Sequence, residues 1–327
     1  MSQPSISTPP EYPGKEGTSP ELSNVNSRSF LSLRRKWIWF ILGGCLLVIA
    51  IALGVGLGIG LNRGSGSASS TPAPPLPSNS TNAASSTFWQ PPASASWQIV
   101  LKYALNDTSA NVSVYDIDLF DNPTSTISAL HAQNRSVICY FSAGSYEDFR
   151  PDSNQFKPSD YAKPLDGWPG EYWLNTNSSN VRSIMSARIA LAASRGCDGV
   201  DPDNVDGYDN DTGLDLTTSD AVDYLTFLAG EAHGRNMSIG LKNAGTIVNQ
   251  TVGMLQWEVN EQCVQYDECE LFRPFIEAGK PVFHIEYPKS AADVSVSTKE
   301  SICGDTEANG FSTVLKNMDL DDWVDEC

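Results

Sequence analysis

Apolar positions divide the chain into regimes of different character. WIWFILGGCLLVIAIALGVGLGIGL, Trp37 to Leu61, is an uncharged apolar run of 25 residues. A helix of about 20 such residues crosses the hydrocarbon core of a bilayer, so this run predicts one spanning helix with some tilt. Residues 1–36 ahead of it are Pro/Ser/Glu-rich, with almost no apolar clustering, and read as a disordered tail. Residues 62–96 behind it are Ser/Pro/Ala/Gly-rich and read as a stalk. From Trp97 to Cys327, short apolar runs alternate with polar segments, as in a single folded domain long enough to bury a substantial core.

Within that domain the periodicity predicts eight strands, over 97–103, 112–120, 137–144, 196–203, 237–243, 254–261, 281–287 and 311–318. Helical spacing fits 180–196, with Asn180 as N-cap and Gly196 past the end; 219–234, with Thr217, Thr218 and Ser219 as caps; and 268–280, stopped by Gly279. Eight strands separated by helices predict an α/β chain folded as a (β/α)8 TIM barrel. The first connection, 104–111, is too short for a crossover helix, so the first unit is irregular. An open doubly wound sheet is the alternative, but no Gly-rich phosphate loop follows the first strand.

Charge and glycosylation signals orient the chain. Arg34, Arg35 and Lys36 directly precede the apolar run and only Arg63 follows closely, so the N-terminus is expected in the cytoplasm. A cleaved signal peptide would have a shorter apolar region nearer the start of the chain. The expectation is a single-pass type II protein of the cell membrane with its folded domain extracellular. Eight N-x-[ST] sequons, at Asn79, Asn106, Asn111, Asn134, Asn177, Asn210, Asn236 and Asn249, all follow the run. Cys45 lies inside the run, and the other six cysteines form an even set, as in an oxidising compartment. Cys263 with Cys269, Cys303 with Cys327, and Cys139 with Cys197 are the pairings considered among fifteen possible connectivities. Beyond residue 96 the chain holds 36 Asp+Glu against 15 Lys+Arg, a net of −21. That balance speaks against nucleic acid and anionic membrane surfaces as ligands and is compatible with a cationic substrate.

The densest acidic stretch is GVDPDNVDGYDND, Gly199 to Asp211. It does not fit an EF-hand loop, since counting from Asp201 the fifth position is Val205 and Gly207 falls seventh. A calcium site from Asp206, Asp209 and Asp211 is a lesser alternative. His131, His233 and His284 are scattered and lack zinc-site spacing, and no GxSxG motif is present. No metal and no cofactor are expected. Paired carboxylates remain, and glycoside hydrolysis needs two. Asp201 and Asp203 lie two apart in an extended segment and share a face, and Glu261 comes from a later strand of the same rim. Also at the C-terminal strand ends, where barrel chemistry sits, are Asp116, Asp118, Tyr140, Ser142, Lys242, Asn243, Glu286, Tyr287 and Asp319. Tyr140, Tyr146, Trp173, Tyr208, Trp257 and Tyr287 are aromatics available for stacking on sugars, though each singly fits a core role.

GCDGVDPDNVDGY, GLKNAG, WEVNEQCVQYDEC and CYFSAGSYEDFRPD resemble glycoside hydrolase family 114, the endo-α-1,4-polygalactosaminidases, in a likeness that covers about 97–327. The anchor and stalk resemble those of membrane-anchored fungal members that act on galactosaminogalactan. The resemblance implies a (β/α)8 barrel that cleaves internal α-1,4-linked galactosamine with one Asp and one Glu. Matched motif to motif these are Asp203, as nucleophile or base, and Glu261, as general acid/base. Substrate-binding candidates are Asp118, Tyr140, Asp201, Asp206, Lys242, Asn243, Trp257, Glu286 and Tyr287, with Asp118, Asp201 and Asp206 available to hold ammonium groups. The expected partner is a cationic galactosamine polysaccharide, met by a monomeric catalytic domain. A non-catalytic carbohydrate-binding surface protein, a glycosidase acting on N-acetylated chains and a structural wall protein are the competing readings.

Overall fold

The computed structural model describes residues 88–327. The tail, the Trp37–Leu61 run with Cys45, residues 62–87 and the Asn79 sequon lie outside the described residues. Among the described residues no helix is long and apolar enough to cross a membrane.

In chain order the strands are β1 (Trp97–Val100), β2 (Val114–Asp118), β3 (Ser136–Ser142), β4 (Ser145–Glu147), β5 (Tyr161–Pro164), β6 (Glu171–Leu174), β7 (Gly199–Asp203), β8 (Ser238–Lys242), β9 (Trp257–Glu261), β10 (Val282–Glu286), β11 (Ser312–Leu315) and β12 (Asp325–Glu326). The helices are α1 (Thr124–His131), α2 (Ser179–Arg195), α3 (Thr218–His233), α4 (Val248–Thr251), α5 (Cys263–Tyr266), α6 (Arg273–Glu277) and α7 (Val296–Cys303). The main sheet runs β1-β2-β3-β7-β8-β9-β10-β11-β12, parallel throughout except for the terminal β12. Its eight parallel strands follow sequence order and overlap the eight expected runs. The sheet curls so that β1 and β11 approach: Trp97 Nε1 donates to Ser312 O at 2.8 Å, and Lys316 Nζ donates to Gln98 Oε1 at 2.9 Å. This is a curled parallel sheet consistent with a (β/α)8 barrel.

Alternation along each strand separates two apolar layers. Trp97, Ile99, Val114, Ile138, Trp257, Val259, Phe283, Ile285 and Val314 pack together inside the curl. Val100, Tyr115, Ile117, Val137, Cys139, Val200, Ile239 and Leu241 face the helices. Gly240 and Gly199 make room for the Trp257 indole: a Cβ on Gly240 would lie 2.0 Å from Trp257 Nε1, and one on Gly199 2.4 Å from its Cη2. Trp257 is thus a fully buried core residue and not the sugar-stacking aromatic the sequence allowed.

Local signals explain where the long helices start and stop. The N-cap of α2 is Ser178, whose hydroxyl accepts from Asn180 N and Val181 N, not Asn180 as expected. Asn180 Nδ2 instead donates to Asp160 Oδ2 at 2.7 Å. Gly196 ends α2 with φ 90°, a left-handed position that favours glycine. Helix α3 opens with a capping box between Thr217 and Asp220. The helix expected over 268–280 is divided into a 3-10 turn, Cys269–Phe272, and α6, because Pro274 supplies no N–H for continuous α-helical bonding. The connection 104–111 carries no helix.

Several features went unread in the sequence, helix α7 (Val296–Cys303) among them. Helix α1 lies between β2 and β3, and β4-β6-β5 form an antiparallel three-stranded sheet inserted between β3 and β7. The chain also packs before Trp97: the rings of Trp89 and Trp257 lie 5.8 Å apart, and Ala95 is buried. Disulfides join Cys139–Cys197, Cys263–Cys269 and Cys303–Cys327. The described sequon residues, Asn106, Asn111, Asn134, Asn177, Asn210, Asn236 and Asn249, are all exposed.

Candidate active site

At the C-terminal ends of β7, β8 and β9, the inward-facing residues are Asp203, Lys242 and Glu261. Lys242 Nζ lies 3.3 Å from Asp203 Oδ1 and also donates to Glu261 Oε2 in a short contact. One ammonium therefore bridges the two carboxylates that the motifs single out. Asp203 also accepts from Tyr140 OH at 2.7 Å and from Asn204 N at 2.8 Å. Glu261 accepts from Tyr287 OH at 2.6 Å and Asn243 Nδ2 at 3.0 Å, and its N–H donates to Asn243 Oδ1 at 2.9 Å. Asp203, Glu261, Tyr140, Lys242, Asn243 and Tyr287 are thus brought together from β3, β7, β8, β9 and the segment after β10.

Backbone geometry locks this cluster. The residue after each of its three acidic or basic strand ends has positive φ: Asn204 at 61°, Asn243 at 53° and Gln262 at 64°. Such conformations are costly for side-chain-bearing residues and persist where surrounding contacts enforce them, commonly at functional sites. One enforcing contact is at Asp203, whose carbonyl accepts from Ala143 N at 2.8 Å and Gly144 N at 3.0 Å. A Cβ at Gly144 would lie 1.6 Å from Asn204 O, so only glycine permits this approach.

Burial and charge act in opposition here. Burial pushes the Glu261 carboxyl up, but the Lys242 charge and the hydrogen bonds from Lys242, Tyr287 and Asn243 outweigh it and hold it at about 2. Burial works against the Lys242 ammonium, but Asp203, Glu261 and Asp201 raise its pKa above the ordinary lysine value. Burial raises Tyr140 and Tyr287 well above the usual tyrosine range, and the charges of Asp203 and Glu261 respectively raise them further. Both phenols therefore stay protonated and serve as donors. Burial and then repulsion from Asp203 push Asp206, half-buried beside the pair, up to about 6.

Other expected site residues have different surroundings. Asp201 is fully buried beneath the cluster and forms a pair with Asp116, which is also fully buried. Burial, then the Asp201 charge, push Asp116 well above the carboxylate range, and among the described residues none hydrogen-bonds the oxygens of either carboxyl. Burial pushes Asp201 up to about 7, against the pull of Lys242 and with the repulsion of Asp203. Asp118 is held by Arg150 NH2 at 2.7 Å and accepts from Phe120 N and Asp121 N, so its charge is already matched. Glu286 points to the other face of β10, where Oε1 accepts from Val264 N at 2.8 Å and lies 2.9 Å from His284 Nε2.

Arg150 was missed. Its guanidinium also bonds Glu147 Oε1 at 2.8 Å, and Arg188 reaches Glu147 and Asp152. The sequence signal was a single Arg within the acidic YEDFRPD stretch. Tyr146 stacks on Tyr161 at 4.6 Å in the inserted sheet, Trp173 is buried, and Tyr208 OH meets Thr246 Oγ1 at 2.7 Å. Among the described residues a metal-ligand grouping occurs at Cys263, Cys269 and His284. Its two sulfurs are joined in a disulfide, so they offer no thiolates.

Two carboxylates bridged by one cation at a strand-end rim provide the groups for acid–base or nucleophilic cleavage of a glycosidic bond. Comparison with known proteins agrees. The model of glycoside-hydrolase family GH114 matches residues 78–327. Ega3 of Aspergillus fumigatus, solved in complex with galactosamine, is 56% identical; the match covers 73% of this chain and 97% of that one, with a TM-score of 0.71. The glycoside hydrolase domain of PelA from Pseudomonas aeruginosa shares the fold at 10% identity, with a TM-score of 0.53 over 70% of this chain and 97% of that one. No curated protein matches the sequence. With the matched family model covering the whole described domain, the chain belongs to glycoside hydrolase family GH114 and is a glycoside hydrolase.

Proposed function

We propose that this enzyme cleaves internal α-1,4 linkages of a galactosamine polysaccharide, with Asp203 and Glu261 as the reacting pair in a (β/α)8 barrel. The observation that carries this reading is the single Lys242 ammonium spanning both carboxylates inside a strongly acidic domain. The galactosamine bound by Ega3 supports the sugar class. Each deacetylated unit bears an ammonium, so the polymer is a polycation that the net negative domain attracts at low salt. Asp206 is the remaining acidic neighbour of the pair suited to hold such a group.

Because one nitrogen reaches both carboxylates, their nearest oxygens lie within two hydrogen-bond lengths, about 6 Å or less. This favours the retaining arrangement, with carboxyls about 5–5.5 Å apart, over the wider inverting one. In the proposed sequence Asp203 attacks the anomeric carbon, and Glu261 gives a proton to the departing sugar oxygen as the C–O bond breaks. Glu261 then takes a proton from water, which displaces Asp203 from the glycosyl ester. For Glu261 to act as the acid, substrate must open its Lys242 contact so that burial, which pushes the carboxyl up, prevails. The low value held in the free protein favours a second reading in which Glu261 is the nucleophile and Asp203 the acid.

Defined α-1,4-galactosamine oligomers test both levels. Wild-type protein is expected to give internal cleavage products, with turnover lost in Asp203→Asn and Glu261→Gln. Absence of cleavage by wild type overturns the function. Azide added to Glu261→Ala decides the roles: a glycosyl azide of retained configuration makes Glu261 the acid/base, and an inverted one makes it the nucleophile. We also propose that residues 1–36, 37–61 and 62–96 act as tail, membrane anchor and stalk for an extracellular domain, which the sequon distribution and the exposure of its described members support.

A further inference from the structure

Glu286 is one of the acidic candidates that the Asp203/Glu261 cluster leaves out. It is 3% exposed at the end of β10, and it lines a cavity of about 450 Å³. That volume lies in the range of small-molecule sites. Tyr287 is shared with the reaction centre: it is among the residues that line the cavity, and its hydroxyl bonds Glu261 Oε1 at 2.6 Å. The cavity and the reaction centre therefore meet at this one residue.

Its lining has the chemistry of a sugar site. Tyr287, Pro288 and Ile302 offer apolar faces for the carbon side of a pyranose, and Gln265 and Thr298 offer groups for hydroxyls. The Glu286 carboxylate is fixed by its first oxygen alone. Oε1 takes Val264 N, Gln265 N and the His284 ring, whose other nitrogen meets Thr313 Oγ1 at 3.0 Å. Among the described residues Oε2 has no hydrogen-bond partner, and it is not one of the buried, unpartnered oxygens. The loop that supplies Val264 and Gln265 is closed by the Cys263–Cys269 disulfide, so this wall is built on a short constrained segment. Lys289, also in the lining, is exposed, so solvent screens its charge.

We propose that this cavity is a subsite for an additional ammonium sugar of the polymer, next along the chain from the reacting unit, with Glu286 Oε2 as the partner of its ammonium. The proposal rests on the galactosamine reading above. An amine and a carboxylate make a charge-assisted hydrogen bond that an uncharged acetamide cannot match, so the subsite selects deacetylated units. It also gives an endo-acting enzyme grip on the polymer beyond the reacting linkage.

Calorimetric binding of an α-1,4-galactosamine tetramer to the full-length Asp203→Asn chain, with and without Glu286→Gln, tests this. Glu286→Gln is expected to weaken the Kd at least tenfold for the tetramer while leaving the affinity for its fully N-acetylated counterpart unchanged. Ile302→Arg, which places bulk and positive charge in the cavity from α7, is expected to weaken tetramer binding by a similar factor and decides the matter if Glu286→Gln fails to fold. Unchanged tetramer affinity in the folded variants, or equal weakening for both ligands in Glu286→Gln, overturns the subsite. The hydrolytic reading fails separately, through absence of tetramer turnover by wild type. A tetramer that binds through Glu286 without being cleaved would leave the subsite standing.

Discussion

Replacing Lys242 with Met removes the one cation between Asp203 and Glu261 while keeping most of the side-chain volume. Lys242 is 5% exposed, Asp203 18% and Glu261 25%, so solvent screens this group of charges only in part. Glu261 sits at about 2, roughly two units below an ordinary glutamate, which at about 1.36 kcal/mol per unit is on the order of 3 kcal/mol. Without the cation, burial raises it instead, and removing one partner of a buried ion pair typically costs about 3–5 kcal/mol. Lys242→Met is expected to lower the unfolding free energy by that amount at pH 7. The sign of its pH dependence follows from the two states of Glu261. In wild type the depressed group stabilises the fold above its unfolded pKa, and this is lost as pH falls toward about 2. In the variant the raised group costs stability at neutral pH and ceases to do so as pH falls. The deficit should therefore shrink by roughly half between pH 7 and pH 4. Guanidinium unfolding of both proteins at the two pH values, with disulfides intact, measures it. A deficit below about 1 kcal/mol at pH 7, or one that is the same at pH 4, refutes the bridging role.

Two further outcomes follow from the residues below the site. Asp201 is raised to about 7 by burial, so its stabilising contribution is present below its unfolded pKa and lost as pH rises through 7; Asp201→Asn should flatten the fall in stability between pH 5 and 8 by up to about 1.4 kcal/mol per pH unit, and an unchanged slope in pH-dependent unfolding contradicts the burial of an ionisable Asp201 beneath the site. Gly240→Ala should cost about 1–3 kcal/mol or more through its clash with Trp257 Nε1, with partial recovery in Gly240→Ala/Trp257→Leu; thermal unfolding of the single variant at the wild-type midpoint excludes that packing.

The strand pattern was legible because each parallel strand carries its own short apolar run, and burial on both faces needs little help from distant residues. Helix ends were legible to within two residues where Gly196 and the Thr217 box mark them, yet Ser178 displaced Asn180 because Asn180 found Asp160 in the inserted sheet's loop. That sheet escaped notice because YAKP and EYWL are only four residues each and the segment between them, LDGWPG, is rich in Gly and Pro. Trp257 was misplaced for a geometric reason. It shares the inward parity of Glu261, but four residues along a strand are about 13 Å, which separates the floor of the curl from its rim. Asp118 read as a free carboxylate because Arg150 comes from a different segment.

The order of the strands follows from the one-dimensional pattern, since periodicity is a local property, and the family resemblance of the motifs pointed to Asp203 and Glu261. Among fifteen possible cysteine connectivities, only the folded structure decides the pairing, because it brings the sulfurs together through space. Which carboxylate is charged is not local. Glu261 near 2, Asp201 near 7 and Asp206 near 6 have the same kind of side-chain group and a common strand-end setting. Their differences come from burial and from how close Lys242 lies, 39 residues from Asp203 and 19 from Glu261 along the chain. Folding alone brings that ammonium between them, and Coulomb energy depends on distance through space.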